Sequence, residues 1–256
     1  MTSLFWRTTE TAVPEFFGTF LFTLFGGASS SVATGAGLNG AFGNAIALTA
    51  VLYMLSNDEG SGKLNSAVSL AIYLSDANVG GILKMLMEVT MQILGALAAG
   101  AALKQLMPHP HDSCFHPTVS NSALFAWELL GTFLLIGVIF STSGNRYLVV
   151  APLAIGLALF AAAQAAGPFT GGCFNPARYL ANAGAGCSVG KAGYYIGAQV
   201  VAAVAVFVVH YVQRLLLVQR LPDEQRVQAP RARDEDDYPQ EFARRRRASR
   251  YDDDEA

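Results

Sequence analysis

Charged residues are scarce over most of this chain. It has 256 residues, and only 17 of the first 220 are Asp, Glu, Lys or Arg, whereas soluble domains carry about 25% charged residues. The mean hydropathy of the whole chain is +0.36. This shortage of charge excludes an ordinary soluble domain for residues 1–220 and indicates that the region lies in a membrane.

Cysteine and net charge are low as well. Three cysteines are too few for a disulfide-rich secreted scaffold, and a formal net charge of −2 argues against a nucleic-acid binder. Residues 1–10 are polar and contain no short apolar core that ends in a small-residue cleavage site. No removable signal peptide is therefore predicted.

Six apolar stretches are long enough, or nearly so, to cross a membrane. A transmembrane helix needs roughly 20 mostly apolar residues. The stretches cover approximately residues 12–34, 40–56, 82–104, 123–142, 148–168 and 192–217. Two further apolar pieces, residues 65–74 and 175–183, are too short to cross, and each follows a glycine-rich sequence.

The two halves of the chain repeat each other. Residues 14–20, PEFFGTF, match residues 127–133, WELLGTF, and a short apolar piece follows each motif at a similar distance. Three spans per half require the second half to enter the membrane from the opposite side. The sequence therefore predicts an all-α membrane protein with six transmembrane helices and two re-entrant half-helices, in an inverted repeat of approximately residues 11–105 and 123–217.

Residues 221–256 differ in composition from the predicted transmembrane region, residues 1–220. They hold 8 of the 17 basic and 11 of the 19 acidic residues, without apolar periodicity, so a disordered tail is predicted. An even number of spans places both termini on one side. The tail arginines, Arg7, Lys63 and Arg146 fall on that side, so the positive-inside rule predicts that it is cytosolic.

Ser249 follows an arginine run, residues 244–247, within this tail. The pattern is typical of a site for a basophilic kinase, which would be a partner of the protein. Contact of the arginines with anionic lipid, or a simple solubilising role, are the alternatives.

An asparagine stands near the start of each short apolar piece, and the two motifs are Asn65-Ser66-Ala67 and Asn175-Pro176-Ala177. A half-helix that begins at mid-membrane depth points unpaired backbone N–H groups and the positive end of its dipole inward. Each asparagine can cap its helix with the side-chain oxygen and keep its NH₂ group as a donor. Two such donors would orient a passing water and break a proton-conducting chain. A simple helix cap is the alternative for either residue alone, but the recurrence in both halves favours the pore role.

Over approximately residues 12–215 the chain resembles the aquaporin (major intrinsic protein) family. The run Asn175-Pro176-Ala177-Arg178 closely matches the signature of that family, and Glu15 and Glu128 match its paired membrane glutamates. The first motif departs from the family at Ser66, where proline is usual. Because the N–H that proline lacks is not needed at the first helical position, Ser66 should keep the helix start. The resemblance implies a homotetramer with no cofactor and no catalytic residue.

The resemblance also implies a four-residue selectivity filter, which comprises Phe42, Ala163, Gly172 and Arg178. Arg178 would project into the pore and repel cations, and a salt bridge to a membrane glutamate is the alternative. The stretch from Phe42 to the first asparagine is about three residues long for the family, so Ala45 is an alternative to Phe42, which would then only pack against lipid or a helix. The small residues at 163 and 172 suggest a wide filter.

Glu15 and Glu128 are ionisable groups inside predicted spans, where charge is expensive and usually functional. One interpretation is a proton relay. The other is an acceptor that holds the irregular backbone before each half-helix. The repeat supplies one glutamate for each loop, which favours the second interpretation.

Histidine and cysteine crowd one predicted outer loop, which contains His109, His111, Cys114 and His116. Their spacing fits no standard metal site, and three prolines in the same loop indicate an exposed, turn-rich segment, so no metal is predicted. All three cysteines fall on the outer side in this topology. A disulfide between Cys114 and Cys187 is therefore an option.

These observations together predict a passive channel for water that extends to ammonia, hydrogen peroxide or urea and excludes protons and ions. A glycerol facilitator, a secondary transporter and a structural junction protein are the alternatives. No Ser/His/Asp or paired-Asp arrangement lies in the spans, so an enzyme is not expected. The expected location is the plasma membrane or a vacuolar membrane, as a multi-pass protein in contact with lipid and without a nucleic-acid partner.

Overall fold

The computed structural model describes residues 2–30, 38–55, 62–75, 79–142 and 149–219, and within these ranges the fold is entirely helical. The helices are α1 Thr2–Ser30, α2 Leu38–Leu55, α3 Ser66–Ser75, α4 Val79–Leu106, α5 Asn121–Thr142, α6 Ala151–Thr170, α7 Pro176–Ala185 and α8 Ala192–Gln219, with a short 3₁₀ helix at Pro110–Ser113. The predicted tail and Ser249 lie outside the described residues.

Four of the described helices are long and apolar enough to cross a membrane. The qualifying stretches are Gly81–Leu106, Asn121–Thr142, Ala151–Thr170 and Ala192–Leu217. By contrast, α3 and α7 have 10 residues each, a length of about 15 Å, which is half of a hydrocarbon core. These two helices are the short apolar pieces of the sequence.

Local sequence explains where the second half-helix and its preceding span begin and end. Helix α6 ends at Gly171, whose φ of 84° lies in the left-handed region that glycine tolerates. Helix α7 begins with Asn175 as its N-cap and Pro176 at its first position. Gly186, with a φ of 81°, then ends it. The turn between α6 and α7 is therefore encoded by residues of special conformation.

Glycine lets α4 approach α7 to backbone contact. A Cβ placed on Gly100 would collide with the carbonyl oxygen of Ala181, and one on Gly184 would collide with that of Leu97. Small residues at helix crossings allow such close packing in lipid. Because α4 also packs on α1, the second half-helix is held firmly against the first half of the repeat.

Many polar side chains are buried inside the helical assembly, and many large apolar ones are exposed on its outer surface. The buried set includes Glu15, Asn65, Gln92, Glu128, Asn175, Arg178 and Gln199. Leu, Val, Phe and Ile side chains of α2, α5, α6 and α8 are exposed on the outer surface. This distribution suits a protein whose surroundings are hydrocarbon, and it places the chemistry in the interior.

The chain divides into two compact units, residues 1–211 and 212–256. The first unit contains every side chain of the site. Of the second, the structure describes only residues 212–219, which form the end of α8.

Candidate pore site

The residue before each asparagine has an unusual backbone conformation. Leu64 has a φ of 57° and Phe174 a φ of 50°, values that L-residues rarely adopt. Both side chains are fully buried. This strained conformation recurs at matching positions of the two halves. Hydrogen bonds to the carbonyl groups of these two residues hold it in place.

Those carbonyl groups join the two half-helices. Asn65 Nδ2 donates to the carbonyl oxygen of Phe174 at 2.9 Å, and Asn175 Nδ2 donates to that of Leu64 at 2.7 Å. The two halves, more than 100 residues apart in the chain, therefore meet through a reciprocal pair of hydrogen bonds. This pairing is not visible in the sequence pattern.

Both asparagines also cap their own helices. Asn65 Oδ1 accepts from the backbone N–H of Ala67 at 2.9 Å, and Asn175 Oδ1 accepts from that of Ala177 at 3.0 Å. Each NH₂ group has two hydrogens, of which the carbonyl of the opposite half takes one. One N–H of each asparagine is thus left for another acceptor.

Glu15 holds the loop before α3. Its carboxylate accepts from the backbone N–H groups of Lys63 at 2.6 Å and Leu64 at 2.9 Å, and from Gln92 Nε2 at 2.8 Å. The loop has no helical partners for these N–H groups, and lipid offers none. The carboxylate satisfies them.

Glu128 does the same for the loop before α7. It accepts from the backbone N–H groups of Cys173 at 3.1 Å and Phe174 at 2.8 Å. Thr170 Oγ1 donates to it at 2.7 Å and Gln199 Nε2 at 2.8 Å. Gln199 was not among the residues predicted from the sequence; an isolated glutamine in an apolar span, like Gln92 in the first half, is the signal that marks it.

Ser66 makes a contact that proline could not make. Its Oγ donates to Gln92 Oε1 at 2.9 Å, while Gln92 Nε2 donates both to Glu15 and, at 3.0 Å, to Ser69 Oγ. The hydroxyl of Ser66 therefore fixes which end of the Gln92 amide faces the carboxylate. Pro176, at the corresponding position of the second half, has no such group.

Arg178 is buried, with only 2% of its surface exposed. Its Nη2 donates to Asn44 Oδ1 at 2.5 Å, and its guanidinium carbon lies 4.3 Å from the ring centre of Phe22 and 5.5 Å from that of Phe115. Within the described ranges it forms no ion pair with a carboxylate. The guanidinium is therefore held by a neutral amide and two aromatic rings, and its charge is not neutralised.

Asn44 is itself fixed by the backbone of α1 and α2. Its Nδ2 donates to the carbonyl oxygens of Gly26 at 3.0 Å and Gly40 at 2.8 Å, and lies 3.1 Å from Ser30 Oγ. These bonds turn Oδ1 toward Arg178. Asn44 was not among the residues predicted from the sequence, although a single asparagine inside an apolar span was the signal.

Ala163 and Gly172 lie together. Both are buried, and a Cβ placed on Gly172 would be 3.1 Å from the Cα of Ala163. Gly172 has a φ of 63°, which a side chain would strain. The structure thus brings together the two smallest residues of the filter that the resemblance implies.

Phe42 does not lie beside Arg178 or Ala163 but on the outer surface of α2. Its side chain is 55% exposed, and its ring packs edge to face on Phe160 with 6.1 Å between centroids. With Ile46 and Leu157 it lines an open groove of about 410 Å³ between α2 and α6. This position fits the packing alternative for Phe42 rather than the filter role, since in α2 it is Asn44 that bonds Arg178.

Residues 2–186 match the model of the major intrinsic protein family. The chain belongs to this family. It is similar to aquaporin TIP2-1 of Zea mays, with 32% identity over 206 residues that cover 72% of this chain and 80% of the relative. It is also similar to aquaporin PIP1-1 of Arabidopsis thaliana, with 31% identity over 200 residues that cover 69% of this chain and 67% of the relative.

The X-ray structure of the aquaglyceroporin from Plasmodium falciparum has the same fold. It superposes with a TM-score of 0.64 and 21% sequence identity, covering 79% of this chain and 93% of that protein. The predicted family and the predicted aquaporin-like, all-α membrane fold are both confirmed. The protein is an integral membrane channel of the major intrinsic protein family and not an enzyme.

A disulfide joins the loop between α4 and α5, at Cys114, to the segment after α7, at Cys187, and the two Cα atoms are 6.5 Å apart. The bond occupies both thiols that lie near His111, so neither is free to bind a metal. Asn182 reinforces this link, because it accepts from the backbone N–H of Phe115 at 3.0 Å and donates to the carbonyl of the same residue at 3.2 Å. The Phe115 ring is thereby held over the Arg178 guanidinium.

Replacing Ser66 with proline is expected to keep flux through the channel nearly unchanged and to lower its stability. Proline fits the first turn of α3, as Pro176 fits that of α7. Loss of the hydroxyl leaves buried Gln92 Oε1 without its donor, at a cost of about 1 to 3 kcal/mol. Thermal unfolding in detergent and light scattering from proteoliposomes measure the two effects.

Ser66→Ala is the matched control, because it removes the same hydroxyl without introducing proline. The two variants should unfold at similar temperatures. A large loss of flux in Ser66→Pro alone would show that the start of α3 had shifted.

Proposed function

We propose that this protein is a passive channel that conducts water and small neutral solutes and excludes protons and ions. The reciprocal asparagine pair carries the proposal. After capping and cross-linking, Asn65 and Asn175 each keep one N–H, while the side-chain oxygen of each is engaged by the backbone of its own helix. A water between them would accept from both with its oxygen, and its hydrogens would then point away along the pore, which interrupts a proton wire.

Electrostatics supports the exclusion of cations. Arg178 is bound to the neutral amide of Asn44, so its full positive charge acts on the pathway. The N-termini of α3 and α7 add two positive dipole ends that converge from opposite halves. Fixed positive charge of this kind forms a barrier to cations and leaves neutral molecules unaffected.

The small side chains of Ala163 and Gly172 support a filter wider than one for water alone. Ammonia, hydrogen peroxide and urea are the solutes that we include in the proposal. Glycerol conduction is the second candidate, for the same reason of width. Coupled transport is not favoured, because the carboxylates of Glu15 and Glu128 are occupied by the loop backbones and so do not serve as ion sites.

The proposal also includes the cellular arrangement. We infer a homotetramer in the plasma membrane or a vacuolar membrane, with residues 1–220 as the channel domain and both termini in the cytosol. Relatives of both the PIP and the TIP type support these two locations. The distribution of basic residues along the sequence supports the orientation.

Stopped-flow light scattering on proteoliposomes of the full chain tests the function. Osmotic jumps compare the permeation of water, urea and glycerol. An internal pH dye measures ammonia flux and proton flux. Fast water flux with low proton leak is the expected result. Asn175→Ala should slow water or admit protons. Flux no faster than in empty liposomes would contradict the channel, and saturable uptake driven by an ion gradient would indicate a transporter.

Replacing Ala163 with histidine is expected to narrow the filter. An imidazole beside Gly172 would fill part of the lumen and add a hydrogen-bonding group, so urea and ammonia flux should fall several-fold while water flux survives. Ala165→His is the matched control, since Ala165 lies exposed on the same helix. Equal urea flux in wild type and Ala163→His, at equal protein content, would place the constriction elsewhere.

A further inference from the structure

A small cavity lies directly behind Arg178. It is bounded by α1, α4, α7 and the loop between α4 and α5, and its volume is about 10 Å³. That is space for about one water molecule. Thr23 of α1 and Arg178 of α7 both line it, together with Ser113 and Asn182.

Two polar atoms of the lining residues have no hydrogen-bond partner among the described residues. They are Thr23 Oγ1 and Arg178 Nε, and their side chains are 3% and 2% exposed. The other polar side chains of the lining are satisfied: Ser113 Oγ donates to the carbonyl of Pro110 at 2.6 Å, and Asn182 bonds the backbone of Phe115. The buried side-chain atoms of the lining that lack a partner among the described residues are thus one donor and one hydroxyl.

We propose that this cavity is a binding site for a single resident water that bridges Arg178 Nε and Thr23 Oγ1. The Nε–H would donate to the water oxygen, and the water and the threonine hydroxyl would share a second bond, which gives the water the two partners that a buried site needs. Buried donors without partners are rare, and a guanidinium N–H is among the strongest.

The site makes Thr23 a positioning residue for Arg178. Asn44 holds Nη2 from α2, and the resident water holds Nε from α1. The guanidinium is then fixed at two atoms, Nη2 and Nε, and its charge stays in one place. The water itself is structural, because the cavity lies between α1, α4 and α7 and not between the two asparagines.

The main alternative to a bridging water is a hydrogen bond of the Thr23 hydroxyl within its own helix. A buried threonine in a helix can donate to the carbonyl four residues earlier, which for Thr23 belongs to Thr19. A hydroxyl engaged in this way still accepts from a water, so this alternative also requires a dry cavity in which Nε has no bridge. Thr19 provides a control, because its hydroxyl is also buried and without a partner among the described residues, yet Thr19 is not part of the lining.

High-resolution maps of the full-length channel in lipid nanodiscs decide between a bridging water and a dry cavity. We expect density for a water between Arg178 Nε and Thr23 Oγ1 in wild type, in Thr23→Ser and in Thr19→Val, and its loss in Thr23→Val. A wild-type map that resolves other buried waters but shows none at this position, or a water that persists in Thr23→Val, would overturn the site.

A permeability measurement tests the positioning role, and only this part depends on the proposed function. A loosened Arg178 should raise the urea-to-water permeability ratio of Thr23→Val roughly twofold to tenfold, the effect of losing one hydrogen bond. Thr23→Ser should behave as wild type, and Thr19→Val should keep the wild-type ratio. Equal changes in the two valine variants would overturn the positioning role. If wild type conducts nothing, the proposed function fails, and the maps alone decide the water site.

Discussion

Glu128→Gln is expected to destabilise the channel severely and to abolish its flux. The carboxylate accepts four hydrogen bonds, two on each oxygen, from the backbone of Cys173 and Phe174 and from two side chains. Glutamine has the same shape, but its NH₂ group cannot accept. Whichever way the amide turns, two donors lose their acceptor. Each costs about 1 to 3 kcal/mol, and lipid supplies no replacement.

Thermal unfolding of the purified protein and flux in proteoliposomes measure this loss. The double variant Glu128→Gln with Gln199→Glu is the sharpest control, because it returns a carboxylate to the interior at a neighbouring position. It should not rescue the channel, since the backbone donors face position 128. Rescue by the swap would mean that the interior needs a negative charge rather than this acceptor. A stable Glu128→Gln protein with normal water flux and altered proton flux would favour the relay interpretation.

Asn44→Asp is expected to open the filter to cations. Aspartate loses the Nδ2 that donates to the carbonyls of Gly26 and Gly40, but the attraction of its charge to Arg178 should keep an oxygen on Nη2. The guanidinium then becomes half of a neutral pair. Two unit charges about 4 Å apart interact by about 4 kcal/mol at an effective dielectric of 20, so the barrier to cations should fall by orders of magnitude. Proton and potassium leak into proteoliposomes, read with a pH dye and a potassium dye, measures the change.

Asn44→Ala distinguishes the effect of neutralising the Arg178 charge from the effect of losing its hydrogen-bond partner. It removes the hydrogen bond from Arg178 but adds no negative charge, so cations should still be excluded while the selectivity among neutral solutes loosens. Equal cation leak in the alanine and aspartate variants would show that anchoring, and not neutralisation, controls the barrier. No leak in Asn44→Asp would mean that Arg178 does not supply the barrier.

Local features of the sequence were sufficient to predict the fold. Length and composition predict membrane spans, because hydrocarbon thickness sets how many apolar residues a helix needs. The matching motifs around Glu15 and Glu128 predict an inverted repeat, and the asparagines predict the starts of two half-helices. The spans and half-helices follow from single continuous stretches, and the repeat follows from comparing two such stretches. The structural likeness to a solved channel confirms the fold.

The contacts that assemble the site required the tertiary structure. Asn65 bonds Phe174 and Asn44 bonds Arg178 across separations of 109 and 134 residues, which no local pattern encodes. The sequence also did not show whether the Phe42 side chain points to the pore or to the outer surface. Apolar residues surround helix α2 on all sides, so its sequence has no polar face from which to tell the pore side from the outer side.

The sequence of this protein by itself determined which segments enter the membrane, where the half-helices start and which residues can cap them. Only the tertiary structure decided that Gln199 donates to Glu128, that Ser66 orients Gln92 and that the neutral Asn44 holds Arg178. The reason is physical. Segment type follows from transfer of short stretches from water to hydrocarbon, whereas hydrogen-bond partners follow from the packing of helices that are distant in the chain, and many pairings suit the same apolar spans.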